Sequence, residues 1–211
     1  MFQFEWRLPD FARYDLSSLQ TVVYGGQQVS RQFLERMARM APLMATGLGL
    51  TETAGFCTYT PLTSSVDDLL NGIGHAMPLY PLSIRRDIRD DGSAGEPLPD
   101  GQIGHICFRG PQTFLGYVGD PVSTARTVST DGHLYTGDLG WNDDGGLHLS
   151  GRARWVIKPG GNQVFPGDVE SYICALGDRI VSCGAVGAAP SRGASHISPR
   201  ARRIAPVVLS A

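Results

Sequence analysis

Three features of the sequence predict an α/β chain of the α+β kind. Residues 21–42 read as a strand, a Gly-Gly turn and an amphipathic helix. Asp-Gly pairs at 91–92, 100–101 and 131–132, followed by Asp144-Gly145-Gly146, separate short apolar runs between residues 79 and 149. Glycine supplies 27 of the 211 residues, well above the ~7% of ordinary usage, as expected of tight turns and short connections.

Thr21 to Tyr24 is β-branched and aromatic and is closed by Gly25-Gly26, which predicts a strand. Ser30 can accept from the first free amides of a helix that buries Phe33, Leu34, Met37 and Met40 and stops at Pro42. "ATGLGLTETAG" then reads as a Gly-rich turn ending in polar Thr51, Glu52 and Thr53. Asp-Gly between apolar runs such as "HICFRG" and "HLYTGD" is a strong hairpin signal, so antiparallel strands are expected there, with "TGD" at a hairpin corner. Trp155 to Ile157 and Gln163 to Phe165 suggest a further hairpin around Pro159-Gly160-Gly161. Pro166 suits the first position of a helix striped by Val169, Tyr172, Ile173 and Leu176 and ended by Gly177. "RIVSCGAVGA" reads as a buried strand. The last 24 residues hold four arginines, no acid and much Ala, Ser and Pro, and predict disorder.

Composition narrows the function. A hydrophobic share of 42% allows a sizeable core, and a net charge of −2 speaks against a dedicated nucleic-acid or membrane-surface binder. No run approaches the ~18 apolar residues of a membrane span. The opening "MFQFEWRLPDF" lacks the basic and apolar segments of a secretory signal. Cys57, Cys107, Cys174 and Cys183 are scattered without a CxxC, which predicts reduced thiols in the cytoplasm and no zinc site or disulfide framework. His75, His105, His133 and His148 show no metal or triad spacing, and "NDDGG" lacks the alternating aspartates of a calcium loop.

Four short elements stand in order: Gly25-Gly26, "GLGLTET", "YTGDLG" and "GRARWVIKPGGNQVFPGDVE". Each alone is weak: Gly47-x-Gly49 is more often a turn, Asp138 could cap one, Glu52 could be a surface acid, and Arg152 could pair with Asp138, Asp143 or Asp144. Together, over about residues 14–187, they resemble the AMP-forming acyl-CoA synthetases, the adenylate-forming ligases that include fatty acyl- and aryl-CoA ligases and firefly luciferase. The resemblance implies ATP-dependent ligation of a carboxylic acid to CoA through an acyl-adenylate, with AMP, Mg2+ and CoA as ligands. It implies that Gly25, Gly26 and Gln27 offer a backbone edge to adenine, with Gly49 in the next motif. Thr51 would donate to the α-phosphate and Glu52 would hold magnesium, a hard oxygen on a hard cation. Asp138 and Arg152 would grip the ribose hydroxyls, and Gly160 and Gly161 would flank the pantetheine arm.

The same resemblance divides the chain. Residues 1–151 would be the later half of the large AMP-binding domain, with its antiparallel β subdomain. Residues 152–187 would begin the small mobile C-terminal domain, and 188–211 lie outside the resemblance. The family's Ser/Thr/Gly-rich phosphate loop would fall before Met1, and its C-terminal lysine has no counterpart, because Lys158 is the only lysine. Leu48 stands where an aromatic commonly packs on adenine, and Trp155 where the hinge aspartate usually stands. The sequence therefore leads us to expect a truncated chain that is impaired alone. The alternatives are a non-catalytic nucleotide-binding remnant, a chain completed by a second one, or a ligase that loads a carrier protein.

Overall fold

A computed structural model describes residues 2–63, 65–157, 164–176 and 183–185. A short helix α1 (Phe2–Glu5) precedes β1 (Thr21–Gly25), α2 (Arg31–Met37) and β2 (Leu43–Gly47). Strands β1 and β2 pair in parallel, Val22 opposite Met44, so the predicted strand–turn–helix is the first half of a βαβ crossover. Ser30 starts α2 as expected: its Oγ accepts from the Phe33 amide. Leu34 and Met37 are fully buried with Val22, Tyr24, Met44 and Leu69. Phe33 and Met40 pack against that cluster together with Trp6, whose indole Nε1 donates to the Met40 sulfur at 3.2 Å.

The stretch expected to be a Gly-rich turn is mostly extended. It forms β2, then β3 (Gly49–Leu50) paired with β4 (Gly55–Phe56) around a 3-10 turn at Thr51–Thr53. The glycines there serve packing: a Cβ on Gly47 would lie 2.0 Å from the Thr58 carbonyl oxygen, and one on Gly49 2.8 Å from that of Gly55. Composition alone reads such glycines as turn formers, whereas close approach of neighbouring backbone also demands them. Next come β5 (Thr58–Tyr59), α3 (Val66–Asn71) and β6 (His75–Ala76), with β5 and β6 antiparallel.

The Asp-Gly region forms the antiparallel sheet it predicts. Strands β7 (Leu82–Arg85), β8 (Gly104–Phe108), β9 (Leu134–Asp143) and β10 (Gly146–Arg152) lie in the order β10-β9-β8-β7, and α4 (Pro121–Thr127) sits between β8 and β9 in sequence. Ile84, Ile106, Phe108 and Leu147 bury one face against Tyr80 and Cys57. Two readings are corrected here. Asp138 lies inside the ten-residue strand β9 and not at a hairpin corner, because the corner is made by Asp143 to Gly146. Trp155 belongs to a 3-10 turn over Ala153–Trp155 and is no strand residue; of the proposed second hairpin, Ile157 and Val164 pair through two 2.9 Å backbone bonds.

Pro166 opens α5 (Pro166–Ala175) as expected. Its apolar stripe is only partly covered, since Tyr172 and Leu176 are exposed. Lys158, Gly160, Gly161, Gly177, most of "RIVSCGAVGA" and the arginine-rich tail lie outside the described residues. No helix among the described residues is long and apolar enough to cross a membrane.

Candidate active site

The two apolar cores, one under β1 and β2 and the other under the antiparallel sheet, leave a cleft of about 1470 Å³ between them. One wall is the C-terminal end of the parallel pair, where Gly25, Gly26, Gln27, Gly47 and Gly49 lie. The opposite wall is β9 and β10, which contribute Asp138, Trp141, His148 and Arg152. The C-terminal edge of parallel strands is where open α/β layers form crevices. Gly26 has φ +91° and nothing within 4 Å of an added Cβ, so its backbone is open to the cleft. Gly25 is different: its missing side chain makes room for the Phe56 ring, 2.9 Å from where a Cβ would stand.

Asp138 reaches the cleft through a bulge. Opposite β8, the step of two positions from His105 to Cys107 is matched by a step of four from Leu139 to Tyr135. The surplus is absorbed at Gly137, whose φ of +78° is left-handed, a conformation glycine takes without steric strain. Thr136 secures the bulge: its Oγ1 donates to the Ile106 carbonyl at 3.0 Å and accepts from the Asp138 amide at 3.1 Å. Strand β10 is irregular at the matching level, between Leu149 and Gly151, and this brings Arg152 opposite Asp138. Arg152 Nε lies 2.8 Å from Asp138 Oδ1.

The pair is asymmetric. The Asp138 side chain is 6% exposed, and that of Arg152 is 42% exposed. Burial holds the Asp138 carboxyl above its ordinary pKa, and Arg152 offsets only part of that rise. A buried carboxylate facing an open cleft, with one charged partner and unused lone pairs, is poised to accept from hydroxyl donors.

A second cavity of about 730 Å³ adjoins the first, and Gly49, Leu50 and Arg152 line both. Thr51 and Glu52 line this second space together with Tyr117 and Arg126. Tyr117 donates its hydroxyl to Glu52 Oε1 at 2.7 Å, and the Phe114 amide donates to the Glu52 carbonyl at 2.8 Å. Glu52 is therefore held by both side chain and backbone, with its second carboxylate oxygen uncommitted. No group of three or more metal-ligating side chains occurs among the described residues. A lone fixed carboxylate suits a Mg2+ ion that takes its other ligands from phosphates and water.

Of the residues singled out from the sequence, Gly25, Gly26, Gln27, Gly49, Asp138 and Arg152 line the first cleft, and Thr51 and Glu52 line the cavity beside it. Gly160 and Gly161 lie outside the described residues. Sequence reasoning missed Tyr117 and Thr136. Tyr117 acts on a residue 65 positions away, a separation that no local period reveals. Thr136 stands inside the "YTGD" run, and the left-handed glycine after it was its available signal.

The description "AMP-binding enzyme" belongs to the family model that matches residues 1–118, more than half of the chain. Luciferin 4-monooxygenase of Photinus pyralis is 32% identical over 164 residues, which are 76% of this chain and 28% of that protein. The 4-coumarate–CoA ligase 1 of Glycine max is 31% identical over 170 residues, 78% of this chain and 56% of that one. The chain thus spans between about a quarter and somewhat over half of the curated relatives' length. Among solved structures, the amide bond synthetase McbA of Marinactinospora thermotolerans superposes with a TM-score of 0.70 at 31% identity, covering 89% of this chain and 36% of that one. The o-succinylbenzoate CoA synthetase of Bacillus subtilis, solved with an acyl-adenylate, has a TM-score of 0.69 at 23% identity over 82% of this chain and 34% of its own, a likeness of fold. The chain belongs to the AMP-binding enzymes, the adenylate-forming ligase family, and has their α/β fold.

Proposed function

We propose that this chain carries the nucleotide half of an ATP-dependent, AMP-forming acid–thiol ligase. The observation that carries the reading is the Asp138–Arg152 pair at 2.8 Å, facing the open backbone of Gly26 across one cleft. In the reaction, a substrate carboxylate attacks the α-phosphorus of ATP, the bond to pyrophosphate breaks, and the acyl-adenylate passes its acyl group to a thiol. Asp138 accepts both vicinal ribose hydroxyls, and the exposed part of the Arg152 guanidinium donates to the ribose oxygens. Gly25, Gly26 and Gln27 present backbone to the base, and Thr51 donates its hydroxyl to an α-phosphate oxygen. Glu52, steadied by Tyr117, holds the magnesium; the ion supplies charge neutralisation on the phosphates. By the family resemblance, Gly160 and Gly161, which lie outside the described residues, would flank the pantetheine arm.

On this reading residues 1–151 belong to the large domain and 152–187 open the mobile one. CoA is the acceptor named by the 4-coumarate–CoA ligases, and the family resemblance makes aryl or fatty acids the substrate class. The buried thiols Cys57 and Cys107 are free, which fits a reducing cytoplasm. An amine acceptor is the second reading, favoured by the 31% identity to an amide bond synthetase.

Binding tests the nucleotide assignment. The chain should bind AMP at least tenfold more tightly than 2′,3′-dideoxy-AMP, about 1.4 kcal/mol; equal affinities would remove the ribose clamp. Acceptors are separated by supplying ATP and a panel of acids with CoA or with an amine, and following thioester and amide.

A further inference from the structure

Away from both cavities already described, a third of about 620 Å³ is lined by Ser83, Arg85, Arg109, Pro111 and His133, with prolines and leucines completing its wall. No carboxylate is among its lining residues. By contrast, Arg31, Arg89 and Arg152 each pair with an acid. Arg85 spends Nε on Ser83 Oγ and Nη1 on the Gly95 carbonyl, both at 2.9 Å, which leaves Nη2 uncommitted. The Arg109 guanidinium has no hydrogen bond or ion pair among the described residues, although its backbone is fixed by a 3.1 Å bond to the Pro81 carbonyl. His133 is 8% exposed, and its Nδ1 is buried without a hydrogen-bond partner. The nearest acid is Asp131, whose Oδ2 lies 3.3 Å from that nitrogen. Asp131 is itself engaged, accepting from the Ala94 amide.

Arg85 and Arg109 line one cavity beside the same imidazole; burial first, and then both guanidiniums, hold His133 below its ordinary pKa against the opposing charge of Asp131. Such an arrangement is stabilised when an anion enters between the charges. Guanidinium edges match a tetrahedral oxyanion by paired N–H···O bonds, and a serine hydroxyl and an imidazole can serve its remaining oxygens. A carboxylate ligand would use fewer of these donors.

We infer that the cavity between Arg85, Arg109 and His133 is a binding site for a phosphate group, separate from the nucleotide cleft. It is connected to the Glu52 segment. Beyond Arg109, the chain passes through Gln112, which accepts from Tyr80, and Phe114, whose amide holds the Glu52 carbonyl. The phosphate group is that of a free inorganic ion or of an ester, and the two are distinguished below.

Inorganic phosphate and glycerol 3-phosphate are titrated calorimetrically into the full chain at constant ionic strength. The variants are Arg109→Gln, Arg109→Lys and, as a cleft control, Arg152→Gln. Arg109 makes no side-chain bond among the described residues, so its variants should melt as the wild type does. At least one of the two probes should bind one-to-one with Kd of about 1 mM or tighter. Arg109→Gln should weaken it at least tenfold, Arg109→Lys should restore part of the loss, and Arg152→Gln should leave it unchanged. Binding of inorganic phosphate identifies a free anion, and binding of the ester alone identifies the phosphate of a larger molecule. No heat from either probe, equal affinity in Arg109→Gln, or loss confined to Arg152→Gln would overturn the assignment.

Discussion

Arg152 stands directly across from Asp138 because two neighbouring strands are each irregular at the same level. The left-handed Gly137 lets β9 take up two surplus residues opposite β8, and this sets where along the strand Asp138 falls. Without the irregularity before Gly151, Arg152 would fall out of register with it. The pair is thus a product of two local distortions held by Thr136, and its position between the two cores points it at the cleft.

The ribose clamp is separable from folding by a double-mutant cycle. Asp138→Asn keeps the shape, removes the charge and turns one acceptor into a donor. AMP affinity should fall at least tenfold, about 1.4 kcal/mol, while affinity for 2′,3′-dideoxy-AMP stays nearly constant. Titration calorimetry on the four combinations decides the matter, and equal losses for both ligands would return Asp138 to a structural role.

The same substitution should act in the opposite sense on stability. Burial raises the folded-state pKa of Asp138 above its ordinary 3.8. Below that value the group is neutral in both folded and unfolded states and contributes no difference. As pH rises from there through the raised pKa, the folded state resists ionisation and stability is lost. Asp138→Asn has no such loss, so its melting temperature relative to wild type should be higher at pH 7 than near pH 3.5. A wild-type chain that instead gains on the variant as pH rises would contradict the burial argument.

Tyr117→Phe removes the hydroxyl that fixes Glu52. The bond is exposed, so its loss should be modest: Mg2+-dependent ATP affinity weakened by up to tenfold, or about 1.4 kcal/mol. Affinity measured in a chelator should not change. A loss of equal size without magnesium would mean that Tyr117 acts on the nucleotide and not through Glu52.

Gly47→Ala should be poorly tolerated, since its new methyl would meet the Thr58 carbonyl at 2.0 Å. Backbone must shift, and the cost is expected at about 1–3 kcal/mol in chemical denaturation. Gly72→Ala is the control. Its Cβ meets nothing nearer than 3.4 Å, and its φ of −167° suits any residue. A similar cost at both positions would show that backbone entropy, and not the contact, decides the effect.

How much of this was legible in the sequence depended on range. Ser30 as the start of α2, the β1 strand, the antiparallel sheet and Pro166 at the head of α5 were readable, because each rests on the preference of a residue for its own few neighbours. The order of Gly25-Gly26, "GLGLTET", "YTGDLG" and "GRARW" was enough to identify the family. Tertiary structure decided the rest. It made Gly47 and Gly49 packing glycines within strands, because the backbones they touch belong to other strands. It moved Asp138 from an expected corner to a bulge inside β9, since a bulge is defined by the partner strand's register, which a single segment does not encode. It also joined Tyr117 to Glu52 and gathered Arg85, Arg109 and His133 in one cavity whose lining holds no carboxylate. Local propensity acts over a few residues, whereas these pairings depend on where distant segments come to rest.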